Sequence, residues 1–107
     1  MKYGSIYYIV GKPNTDAFGY VYVGQTTNFR RRLNEHNSNF RIKKKQTQLI
    51  AKMEELGGVA NFQIVEIAVV SYLTIDELHE YERLYTEKAK LLFGEERLLN
   101  VKKVGTQ

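Results

Sequence analysis

The chain contains no cysteine. That excludes disulfide scaffolds, zinc fingers, thiolate metal sites and cysteine nucleophiles together. Histidine occurs only at His36 and His79, too few for a histidine-rich metal cage. One proline and eight glycines in 107 residues describe neither a linker nor a disordered tail. No apolar run approaches the roughly 20 residues that a membrane span needs. Met1–Ser5 runs straight into a strand pattern, so nothing there reads as a signal peptide. Common catalytic signatures are missing too. Gly11-Lys12 is followed by Pro13 and lacks the spaced glycines of a phosphate loop. No Gly-x-Ser-x-Gly elbow and no His-Glu-x-x-His motif occurs around Ser5, Ser38 or Ser71. The expectation is one soluble domain over residues 1–107, in an intracellular (cytoplasmic) setting.

Charge is distributed unevenly. Residues 1–50 carry nine basic side chains against two acidic ones, whereas residues 51–107 carry seven against ten. A basic half in a chain of net charge +4 suggests a polyanionic partner, nucleic acid first. A solvated basic face on an ordinary protein is the plainer alternative.

Tyrosine, valine and isoleucine dominate two short runs, Ile6–Val10 and Tyr20–Val23, which read as strands. Turn formers fill 11–19 between them, so the pair reads as a hairpin. Pairing Val10 with Gly19 would set Tyr7 opposite Tyr22. A helix follows over about Asn28–Asn37, with an apolar stripe of Phe29 and Leu33 flanked by Arg32 and His36. A second helix, about Lys43–Leu56, buries Ile42, Leu49, Ile50, Met53 and Leu56 and stops at Gly57-Gly58. Asn61–Val70 is a third strand, apolar on both faces after Glu66, hence central or covered. Thr74-Ile75-Asp76-Glu77 is a capping-box start for a helix reaching about Phe93. The fold class is α/β (α+β): a small, mainly antiparallel three-stranded sheet flanked by helices, in the order β-β-α-α-β-α.

Glu82 breaks the pattern. Ile75, Leu78, Glu82, Tyr85, Ala89 and Leu92 share one face of the last helix, and a carboxylate stands in its middle. A buried carboxylate must be paired, protonated or metal-bound, because leaving it alone costs several kcal/mol. Arg32 is a candidate partner, and a face that reaches solvent is the bland alternative. At least one of Arg30, Arg31 and Arg32 must point inward from its helix. His36 alone reads as a satisfied histidine at the core edge, and Tyr7 with Tyr22 as cross-strand packing. Tyrosines, an arginine, a histidine and one carboxylate are equipment for a phosphate ester and one hard cation.

Taken in order, these positions resemble the GIY-YIG nuclease superfamily. Ser5-Ile6-Tyr7 stands where the family has Gly-Ile-Tyr, and Tyr22-Val23-Gly24 forms the second motif. Arg32 comes eight residues after Gly24, and His36 four after Arg32, as in the family's Arg-x-x-x-His helix. Glu82 lies on the last long helix, where the family places its metal-binding glutamate, and Asn100 stands where its terminal asparagine belongs. Ser5 replaces the first glycine, and Thr86 replaces an aliphatic residue four past the glutamate. The first motifs look most like those of phage and intron homing endonucleases, and less like the incision subunit of bacterial excision repair.

The resemblance implies a DNA endonuclease that hydrolyses a phosphodiester bond with one Mg²⁺ or Mn²⁺ per site. It implies that Glu82 binds the metal, Arg32 clamps the phosphate and Tyr7 orients or deprotonates the attacking water, its pKa lowered by the metal or Arg32. His36 would then hydrogen-bond a tyrosine, Tyr22 would complete the site, and Asn100 would tie the chain end to the core. Gly24 would give backbone clearance for a phosphate. Arg30, Arg31, Arg41, Lys43, Lys44 and Lys45 would contact the DNA backbone without reading sequence. Target choice would come from a partner subunit, a separate DNA-binding domain or DNA structure. A double-strand break would need a homodimer or sequential nicks, and for a phage-encoded protein the host cytoplasm would be the setting. Two rival readings remain: a catalytically silent DNA-binding module, and a subunit active only within a complex.

Overall fold

A computed structural model of the chain describes residues 1–37 and 47–100. Its elements follow the expected order: β1 (Lys2–Gly11), β2 (Val21–Thr26), α1 (Phe29–Asn37), α2 (Thr47–Glu55), β3 (Phe62–Tyr72) and α3 (Ile75–Phe93). Short 3-10 turns occupy Val59–Asn61 and Glu95–Arg97. The three strands form one antiparallel sheet in the spatial order β2-β1-β3. The expected start of α2, with Ile42, lies outside the described residues.

β1 takes the centre because both of its faces are apolar. Residues 4–9 are buried without a break, and alternate side chains enter two separate cores. Tyr7 and Ile9 pack with Leu49 and Met53 of α2, Phe62 of β3 and Leu99. Ile6 and Tyr8 pack with Val21 and Val23 of β2 and with Leu78 and Ala89 of α3. The Tyr8 ring meets Phe93 edge-on at 6.2 Å, and its hydroxyl donates to the Tyr85 carbonyl at 3.4 Å, which seats α3 against β1.

Two expectations are corrected. β3 is an edge strand, not a central or covered one: Val65, Ile67 and Val69 are 40%, 40% and 63% exposed. Apolar content cannot separate an edge strand from a central one when helices cover only the middle of a narrow sheet. The hairpin register also differs, with Tyr7 opposite Gly24 and Ile9 opposite Tyr22. The loop explains the shift. Ala17 is fully buried and packs tightly on Gly11, while Gly11 N–H donates to the Tyr20 carbonyl at 3.1 Å. The ladder therefore starts at Val10–Val21 rather than at Gly19. The displacement keeps the two-residue parity of a strand, so Tyr7 and Tyr22 still share a face.

α3 begins with the expected capping box between Thr74 and Glu77. Its inner stripe is buried at Leu78 and Ala89, but Ile75 and Leu92 at its ends are exposed. A helix of this length extends about 28 Å and overruns a three-stranded sheet. Among the described residues no helix is long and apolar enough to cross a membrane.

The outer edge of β2 is closed by the end of the described chain. Leu99 N–H donates to the Val21 carbonyl at 2.7 Å. Asn100 grips Val23 twice: Oδ1 accepts from its N–H at 2.9 Å and Nδ2 donates to its carbonyl at 2.8 Å. Replacing Asn100 by alanine removes both bonds and is expected to cost about 1–3 kcal/mol. A thermal melt should show this as a Tm lower by several degrees, and an unchanged Tm would contradict it.

Candidate active site

β1 and β2 present Tyr7 and Tyr22 on the sheet face that also carries α1. Tyr7 is nearly fully buried, its ring 6.3 Å from that of Phe29 at the start of α1. A side chain at position 24 would overlap the Tyr7 phenol, so Gly24 is required by the close approach of that ring.

Asn28 caps α1, its Oδ1 accepting from Arg31 N–H at 3.0 Å. This orientation sends Arg32 inward and leaves Arg30 and Arg31 exposed. The Arg32 guanidinium stands 5.9 Å from the centre of the Tyr7 ring. It pairs with Glu35 at 3.1 Å, one turn on. Arg32 Nε is buried and has no hydrogen-bond partner among the described residues.

His36 follows one further turn along and is buried. Its Nε2 meets the Phe62 carbonyl at 3.3 Å, so at this nitrogen the imidazole is tied to the backbone of β3 rather than to a tyrosine. The contact pins α1 to the sheet and thereby steadies Arg32. Burial pushes the His36 pKa below its usual 6.5, the Lys12 charge adds to this, and the Phe62 carbonyl opposes it. A base whose folded pKa is depressed favours folding above its unfolded pKa. That stability is lost as pH falls from about 6.5 toward the lower folded value. Urea melts at pH 7 and pH 5 should therefore show wild type losing more stability than His36→Gln. Equal losses would contradict this.

Glu82 is half-buried on α3, near enough for its charge to raise the pKa of both Tyr7 and Tyr22. Burial is the larger cause in each case, and Arg32 acts in the opposite direction. The net shift of Tyr7 is strongly upward, so its phenol keeps its proton at neutral pH. Arg32 pulls in the expected direction but is outweighed by burial. Thr86 donates its hydroxyl to the Glu82 carbonyl at 2.7 Å, an ordinary local use for a helical threonine.

Tyr7, Tyr22, Arg32 and Glu82 thus share one electrostatic neighbourhood, with Gly24 beneath Tyr7 and His36 behind Arg32. The family model for the GIY-YIG catalytic domain matches residues 3–94. The chain belongs to this family. Searches of curated proteins and of solved structures return no significant match. A nuclease-type function accompanies membership of the GIY-YIG family.

In this GIY-YIG domain the first two motifs lie on β1 and β2, Arg32 and His36 on α1, and Glu82 on α3. Asn100 lies outside the matched residues and holds the edge of β2. Arg41, Lys43, Lys44 and Lys45 lie outside the described residues.

Two acidic residues escape a motif-based reading. Glu35 pairs with Arg32 at i,i+3, a spacing visible in the sequence. Glu66 accepts from Ser5 Oγ at 2.5 Å, beside a register shift between Ile6 and Tyr7 that only the paired strands reveal. Among the described residues no group of three or more His, Asp or Glu side chains gathers to hold a metal. The carboxylates whose charge reaches Tyr7 are Glu82 and Glu35, and Glu35 is held by Arg32; an oxygen donor at Glu82 fits a hard cation that retains most of its water.

Proposed function

We propose that this chain is a divalent-metal-dependent DNA endonuclease, each active site hydrolysing a phosphodiester bond in one strand. The observation that carries the reading is the convergence on Tyr7: Arg32 lies 5.9 Å from its ring, and Glu82 and Tyr22 both act on its ionisation. Phosphoryl transfer depends on placing the reacting groups and neutralising charge, and these side chains supply both functions.

Arg32 clamps the scissile phosphate with a planar fork suited to two oxygens at once. Its charge offsets the negative charge that builds on those oxygens during attack. Tyr7 orients the attacking water by hydrogen bonding or, as the phenolate that the cation and Arg32 would favour, takes its proton. Tyr22 closes the site beside it. The water oxygen bonds to phosphorus as one of its protons passes to Tyr7 or to solvent, and the bond to the 3′ oxygen breaks with that oxygen taking a proton from solvent, leaving a 5′-phosphate and a 3′-hydroxyl. Glu82 would hold one Mg²⁺ or Mn²⁺, and the bound cation supplies positive charge for the departing oxygen. Arg30 and Arg31, with Arg41 and Lys43–Lys45, contact the DNA backbone.

Target choice is assigned to a partner, a further domain or DNA structure, as in a homing-type endonuclease. Conversion of supercoiled plasmid to open circles tests the reading. Nicks should appear with Mg²⁺ and disappear with EDTA. Salt-sensitive DNA binding without any nicking would instead favour a silent binding module or a missing partner.

A further inference from the structure

α3 carries a second apolar stripe on the side away from the sheet. Tyr81, Leu84 and Leu91 face solvent there, with Leu84 51% and Leu91 88% exposed. Together with Glu77 and Lys88 they step along the helix by four, three, four and three residues, the period of a seam between two packed helices. Leu84 lies two residues after Glu82, about 200° further round the helix, so the seam and the catalytic carboxylate face apart.

The two halves of this stripe differ in shape and in charge. Beside the N-terminal half lies a groove of about 610 Å³ with an apolar lining that includes Leu73, Tyr81 and Leu84, its rim carrying three acidic residues, Glu77, Glu80 and Glu87, against one basic residue, Arg83. Leu91 protrudes from the C-terminal half beside Lys88, while Lys90 is paired with Glu87 at 3.5 Å. One end is thus a hole with a net acidic rim, and the other is an apolar knob beside Lys88.

We propose that this face binds a second copy of the chain, the two α3 helices packed antiparallel about a two-fold axis at Leu84. Leu84 then meets the partner's Leu84, and Glu80 faces the partner's Lys88. Leu91 enters the partner's groove beside the partner's Glu77. Every feature is used twice and the assembly closes on itself. A parallel arrangement would set acid against acid and groove against groove. The acidic rim disfavours DNA as the occupant. The local pair of Glu80 with Arg83 is no obstacle, because both side chains are more than half exposed and such pairs contribute little in water.

Analytical ultracentrifugation of the full chain tests this, with oligomeric state rather than nuclease activity as the readout. Wild type should dimerise over roughly 1–300 μM, within reach of a modest interface. Leu84→Glu should remain monomeric with an unchanged circular dichroism spectrum. Glu80→Lys and Lys88→Glu, each turning two attractions into repulsions, should each weaken the dimer about 10-fold or more. The double variant should regain most of that affinity, because the swapped charges attract again. A wild type that stays monomeric throughout the range would overturn the proposal. So would a Leu84→Glu protein that dimerises as wild type does, or a double variant no tighter than the single ones.

Discussion

Gly24→Ala should cut the nicking rate about 100-fold, because a displacement near 1 Å in a reacting group has an effect of that order. The added methyl group would overlap the Tyr7 hydroxyl and its ring carbon. Tyr7 is 2% exposed and packed against Phe29, so the ring has little room to yield on its other side. Either β2 moves away from β1 or the phenol leaves its place between Arg32 and Tyr22. Overpacking of this kind also destabilises by about 1–3 kcal/mol. Rate and stability therefore need to be measured together, by single-turnover nicking and by urea unfolding. A folded Gly24→Ala protein that nicks at the wild-type rate would show that the position of Tyr7 does not matter.

Arg32→Ala should lower kcat/KM by about 100- to 1,000-fold, the usual cost of removing one donor that stabilises developing oxyanion charge. Two changes act together. The phosphate loses its clamp, and Tyr7 loses the neighbouring positive charge that lowers its pKa. Glu35 is also left without the partner it holds at 3.1 Å. Arg32→Lys keeps the positive charge but not the planar fork. It should fall between wild type and alanine if charge and geometry both count. A lysine variant equal to wild type would reduce the role of Arg32 to charge alone. An alanine variant equal to wild type would remove Arg32 from the site altogether.

The element order and the helix caps were legible because each leaves a local signal, and the side chains around Tyr7 stand out by their chemistry. Thr74 and Glu77 stand at capping-box spacing, and the structure contains both bonds of that box. Gly57 and Gly58 follow α2 with positive φ of 103° and 99°, a stop that needs no tertiary information. Glu82 stood out because a carboxylate interrupted an apolar stripe. What could not be read locally depends on distant pairing. The Tyr7–Gly24 register follows from how Ala17 folds the hairpin loop under Gly11. The edge position of β3 follows from which strand wins the centre, and β1, buried on both faces, outcompetes it. The Ser5–Glu66 bond joins residues 61 apart, and no short-range pattern encodes that contact. The sequence names Arg32 as the charge that lowers the Tyr7 pKa, but not the depth of burial that opposes it.

Nicking of supercoiled plasmid by Glu82→Gln, with DNA binding measured on the same preparation, tests the central claim most directly. Glutamine keeps the size and the hydrogen bonding of the side chain but removes its charge. The account predicts that wild type nicks with Mg²⁺, that EDTA stops it, and that Glu82→Gln binds DNA yet does not nick. Nicking that survives both EDTA and Glu82→Gln would contradict the account.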